Sequence, residues 1–103
     1  MMYKLNIIEP WESGTQSAIN VSIVKETEKQ FLLFLEKPVN FKDQDIQYFI
    51  CEFQRQEDRN ALKKNIKGIY PINMVFDSNI NKDSQLPPLS SYRGNFLSGE
   101  III

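Results

Sequence analysis

The sequence has no histidine and a single cysteine, Cys51. Without histidine it lacks the commonest general base and the commonest metal ligand, and no Ser–His or Cys–His nucleophile pair can form. Cys51 lies in the alternating apolar run "DIQYFICEF". That setting predicts a buried structural thiol, since no neighbour there would lower its pKa. One cysteine also rules out an internal disulfide, as expected of a protein kept in a reducing compartment. Gly14, Gly68, Gly94 and Gly99 are isolated from one another, so no Gly-rich phosphate loop is present.

Carboxylates are the remaining source of reactivity. Glu9 and Glu12 flank Trp11 in "IIEPWES". A carboxylate pair can hydrolyse a glycosidic bond, but no spacing singles these two out. The run "DSNINKDSQLPP" sets oxygen side chains at Asp77, Asn79, Asn81 and Asp83, like the opening of a calcium loop. The position that requires Gly is Lys82, and the position that requires a bidentate Glu is Pro88. A solvated, Asx-rich loop fits better. The expectation is a protein with no metal, no cofactor and no enzymatic activity.

Binding residues are easier to nominate. Arg55, Arg59, Lys63 and Lys67 recur every four residues, with Lys64 beside them. If residues 56–65 are helical, several share a face. Segment 55–67 holds five basic and two acidic residues; with the whole molecule at −1, the remainder carries −4. Such a patch suits an acidic partner or phosphates. The plainer reading is a solvated helix face offset by Glu57 and Asp58. Trp11, Tyr92 and Arg93 are residue types enriched at binding hot spots, and with Glu12 they complete the candidate set. Trp11 follows the proline that stops the first strand. Leaving its ring in water would cost about 2–3 kcal/mol, which predicts a lid over one end of the core rather than a free anchor.

These residues need elements to hold them. Tyr3, Leu5 and Ile7 alternate with Lys4 and Asn6, the period of a half-buried strand, and Pro10 stops it. Ile19, Val21 and Ile23 repeat the pattern. The polar break "KETEK" then leads into "FLLFL", which predicts a hairpin. "FLLFL" is apolar on both faces and reads as the most central strand, ended by Pro38. In Asp45–Phe53, Ile46, Tyr48 and Ile50 fall on one face and Phe49, Cys51 and Phe53 on the other. Asp58 is placed to cap a short helix with Ala61 and Leu62 inward. Ile69–Phe76 forms a strand that Pro71 demotes to an edge or a bulge. Residues 77–94 form a long aperiodic excursion before the final strand in "NFLSGEIII".

Six strand candidates and one short helix predict a single mainly-β domain over residues 1–103. The first choice is a small barrel of five to six mostly antiparallel strands, because closure removes edges; the alternative is a β-sandwich. With 42% hydrophobic residues, no apolar run long enough to span a bilayer and no leader-like N-terminus, the expectation is a cytoplasmic protein.

The stretches "IIEPWES", "LFLEKPV", "YFICEFQRQ" and "YRGNFLSGEI" resemble a set of short bacterial hypothetical proteins with an EPW(D/E) start. The sequence departs from that set at Glu12, where Asp is more typical. The resemblance implies no chemistry. The resulting expectation is a non-enzymatic domain that binds another protein, as an adaptor, inhibitor or immunity-type factor. A barrel that binds nucleic acid through segment 55–67 is the alternative, disfavoured by the net charge.

Overall fold

The computed structural model describes residues 2–7, 19–92 and 96–103. Six strands run in sequence order: β1 (Met2–Ile7), β2 (Ile19–Glu26), β3 (Gln30–Phe41), β4 (Gln44–Phe53), β5 (Ile69–Phe76) and β6 (Phe96–Ile102). Each pairs antiparallel with the next, and β1 pairs with β6, closing an up-and-down barrel. The barrel expected from the alternation is therefore the fold, and the sandwich is excluded. The closing seam pairs Lys4 with Ile102 and Ile7 with Gly99.

Inward positions follow the twofold period. Leu5, Val21, Phe31, Leu33, Leu35, Cys51, Ile72, Met74, Phe76 and Ile101 are all buried in one core. Phe49 and Phe76 pack with ring centroids 5.2 Å apart, and Phe31 meets Phe53 edge-on at the same distance.

Two proline expectations need correcting. β3 does not end at Pro38 but runs on to Phe41. Its pairing with β4 shifts between Phe34 and Val39, so Pro38 sits in a bulge, where a missing donor breaks no ladder bond. The bulge also changes the phase of β4. Ile46 joins the inner core with Phe49 and Cys51, although Tyr48 faces outward. Pro71 marks no edge, since the barrel has none. It pairs with Glu100, and its carbonyl accepts from the Gln54 amide beyond the last β4–β5 pair, Phe53–Ile72.

The hairpin from β3 to β4 turns on Lys42 and Asp43, both at positive φ (51° and 62°). Two left-handed residues match the twist of the flanking strands. The helix α1 (Gln56–Lys63) links β4 to β5 and closes one end of the barrel with Leu62. Its N-cap is Arg55, not Asp58 as the sequence suggested; Asp58 is buried in the first turn. At the far end Asn65 takes φ 57°. Its amide donates to the Leu62 carbonyl and that of Ile66 to the Ala61 carbonyl, a Schellman close with Asn in the place Gly usually takes.

Outside the barrel, Leu32, Ile50 and Val75 form a second apolar cluster. The excursion after β5 lies over it as a strap, contributing Ile80, Leu89 and the flank of Leu86 and Tyr92. A 3-10 turn (Leu89–Ser91) seats Leu89. Polar ties fix the strap's course. Lys25 donates to the Ser84 carbonyl at 2.9 Å, and the Gln30 amide donates to the Pro87 carbonyl.

Candidate functional site

Helix α1 is too short to persist alone and depends on docking. Glu57 and Asp58 at its start and Lys63 at its end complement its dipole. Its cations then bolt it to the turn between β2 and β3. Arg55 grips Asp58 at 3.0 and 3.2 Å and lies 3.4 Å from Glu57; the hydrogen bond to Asp58 raises its pKa further. Arg59 donates to the Thr27 carbonyl at 2.8 Å, approaches Glu26 at 3.8 Å, and lies 5.3 Å from the Phe31 ring centroid. Lys63 reaches the same Glu26 at 2.8 Å.

Three of the four regularly spaced cations thus fall on α1 or its cap and are engaged within the protein. Lys67, with Lys64, is exposed beyond the helix. Tyr92 is half-buried against the outer cluster, and burial, then the Asp77 charge, pushes its phenol up. It covers the sheet rather than forming a free anchor. Trp11, Glu12 and Arg93, with Glu9, lie outside the described residues.

The two proposed chemistries can be placed. Cys51 is fully buried in the barrel interior, and burial pushes its thiol far above the ordinary range, against a backbone hydrogen bond from Phe31. In the calcium-like segment, Asp77 accepts from the Asn79 amide at 2.8 Å and Asn81 from that of Asp83 at 2.9 Å. Those oxygens close turns in their own loop. Among the described residues no group of three or more His, Cys, Asp or Glu is placed to hold a metal ion.

What sequence reasoning missed is a groove at the helix-capped end. Two adjoining depressions, of about 320 and 340 Å³, share Lys29 and Glu52. The first runs from the β2–β3 turn to Leu86 and Pro88 of the strap. The second continues past Phe53 to Gln56 and Arg59. Leu86, Pro88 and Phe53 give them apolar contact, and charges of both signs line them. The "KETEK" break marked a turn in the sequence, but no local signal links it to Leu86, far along the sequence.

No protein-family model, curated protein or solved structure matches this protein.

Proposed function

We propose that this protein is a non-enzymatic, cytoplasmic protein-binding module of bacterial origin. The groove that joins the β2–β3 turn, the strap and α1 receives an extended segment of the partner. One observation carries the reading: two depressions share Lys29 and Glu52 in their walls, one reaching Leu86 and the other Phe53 and Arg59. Such walls supply apolar contact and polar registration together, as peptide recognition requires.

The nucleic-acid alternative has less support. Single-stranded nucleic acid binds on exposed aromatic platforms. The exposed large hydrophobic side chains among the described residues are Met2, Val24, Ile66 and Ile69, none of them aromatic. The cations of α1 are also tied to Glu26 and Asp58.

The test is a photo-crosslinker, p-benzoylphenylalanine, placed at Lys29 in the source organism. A discrete protein adduct that disappears on Leu86→Glu supports the reading. Adducts removed by nuclease, or none above those from a probe at Asn73 on the barrel's outer wall, overturn it.

A further inference from the structure

We propose that the outer face of β5, β6 and β1 is the surface by which two copies of this protein associate. Their two-fold axis passes by Ile102 and sets the Lys4 ammonium of each copy against the Glu100 carboxylate of the other. The inference is independent of the groove, which is built on other elements.

The alternation of the strands makes the face. On β1, Tyr3, Leu5 and Ile7 enter the core, so Met2, Lys4 and Asn6 point outward. On β6, Ile101 enters it and leaves Glu100 and Ile102 outside; on β5, Tyr70 and Ile72 leave Ile69 and Pro71 outside. The register then aligns these side chains. Lys4, Ile102 and Ile69 form one row across the three strands, and Asn6, Glu100 and Pro71 form the next. Met2 is one outward position further along β1, diagonal to Ile102.

Apolar exposure gathers in this place. Among the described residues four large hydrophobic side chains are exposed, and two of them, Ile69 at 59% and Met2 at 50%, flank the half-buried Ile102. A third, Val24, lies beside Met2 on β2, two positions past its partner Ser22. Single exposed apolar residues need no explanation, but neighbours across paired strands form a patch that does.

The charges indicate what covers it. Lys4 and Glu100 are the only charged residues on these three strands. They are diagonal neighbours, and neither makes an ion pair among the described residues; Glu100 instead accepts from the Asn6 amide at 3.2 Å. A partner of uniform charge would gain from one of the two and lose to the other. A partner that presents the same pair in reverse gains from both. A second copy does this. A half-turn about an axis lying in the contact plane, along the diagonal from Ile102 to Asn6, exchanges Lys4 with Glu100. The same half-turn sets Ile102 against its own counterpart and Met2 over the other copy's Pro71. Such a contact is isologous and closes at two copies. Three strands of a small barrel offer less than the roughly 800 Å² per partner of a tight complex, so the expected association is reversible, with a Kd of about 10–100 µM.

The experiment is sedimentation velocity on the whole protein across concentrations that bracket this Kd, with Lys4→Glu and Glu100→Lys as variants. The wild type should shift from monomer to dimer as concentration rises. Each single variant should stay monomeric while keeping the wild-type circular dichroism, since both side chains point away from the core. Mixing the two variants should restore a dimer, because one copy then presents only anions and the other only cations. The double variant Lys4→Glu/Glu100→Lys should dimerise by itself, and it keeps the charge balance of the fold. Met2→Ser should weaken the wild-type dimer about tenfold. A wild type that stays monomeric, or that grows beyond a dimer, would overturn the proposal. So would single variants that dimerise as the wild type does, or a mixture and a double variant that both stay monomeric. A crosslinked second copy, recognised by its doubled mass, belongs to this face and not to the groove.

Discussion

Leu32 and Ile50 sit opposite each other across β3 and β4, and both point away from the barrel interior, yet neither reaches solvent. Val75 extends the row onto β5 as the partner of Ile50. The strap covers all three with Ile80 and Leu89. A small barrel with one core thus carries a second, external one, made by a segment with no regular strand or long helix of its own.

Leu89 is 5% exposed, so trimming it opens that outer core. Leu89→Ala should cost about 2–3 kcal/mol, read as a lower urea midpoint. Limited proteolysis within 81–88 should accelerate well before the barrel unfolds, because the strap can lift locally. Equal protection of strap and strands would show that the two cores unfold as one.

Cys51 links stability to alkaline pH. Its folded pKa is raised by burial, so the native state keeps the thiol protonated. The unfolded thiol ionises near its ordinary value of about 8.5. Below that value the contribution is constant; above it, stability falls by about 1.4 kcal/mol per pH unit until the folded pKa is reached. Between pH 7 and pH 10 the wild type should therefore lose about 2 kcal/mol more than Cys51→Ala. Parallel urea curves for the two proteins would contradict the burial of the thiol. In the native state, thiol reagents should react only at the rate of unfolding.

Gly99 faces the interior where a side chain has no room. A Cβ there would come within 2.7 Å of Met74 Cε and 2.9 Å of the Asn6 carbonyl oxygen. Gly99→Ala should destabilise by about 1–3 kcal/mol. Adding Met74→Ala should not restore the loss, since the Asn6 backbone is part of the clash and the smaller Met74 leaves a cavity. Full rescue in the double-mutant cycle would place the conflict on Met74 alone.

The β3–β4 turn holds Lys42 and Asp43 in the left-handed region, a conformation that Asn and Gly adopt at lower cost. The pair Lys42→Asn and Asp43→Gly should stabilise the protein by about 1 kcal/mol, or roughly 4–8 °C in melting temperature for a domain of this size. An unchanged melting temperature would mean that the Lys42 ammonium, 5.2 Å from the Phe41 ring centroid, contributes as much as the turn geometry costs.

All six strands were legible because side chains such as Tyr3, Leu5 and Ile7 alternate cleanly. What was not legible depends on contacts between residues far apart in the sequence. "FLLFL" reads as a central strand because both its faces are apolar, but a closed barrel has no centre; the second face of β3 is buried by Ile80 and Leu89. Pro38 reads as a stop because a single sequence cannot show a bulge. The cations of 55–67 were visible, but their partners Glu26 and Thr27 lie on another hairpin. Lys29 and Glu52 carried no signal, since they acquire meaning only when strap, turn and helix converge.

Five of the six strand pairs in the barrel join sequence neighbours; the sixth, β1 with β6, joins positions near opposite ends of the molecule's sequence, as in the Asn6–Glu100 hydrogen bond. The β2–β3 and β3–β4 hairpins can zip early because their loops are short, whereas this seam bears the largest loop-closure entropy. That entropy disfavours the seam until the short hairpins have formed. A polypeptide stalled before the seam closes would expose two raw strand borders, on β1 and β6, ready to template onto another copy.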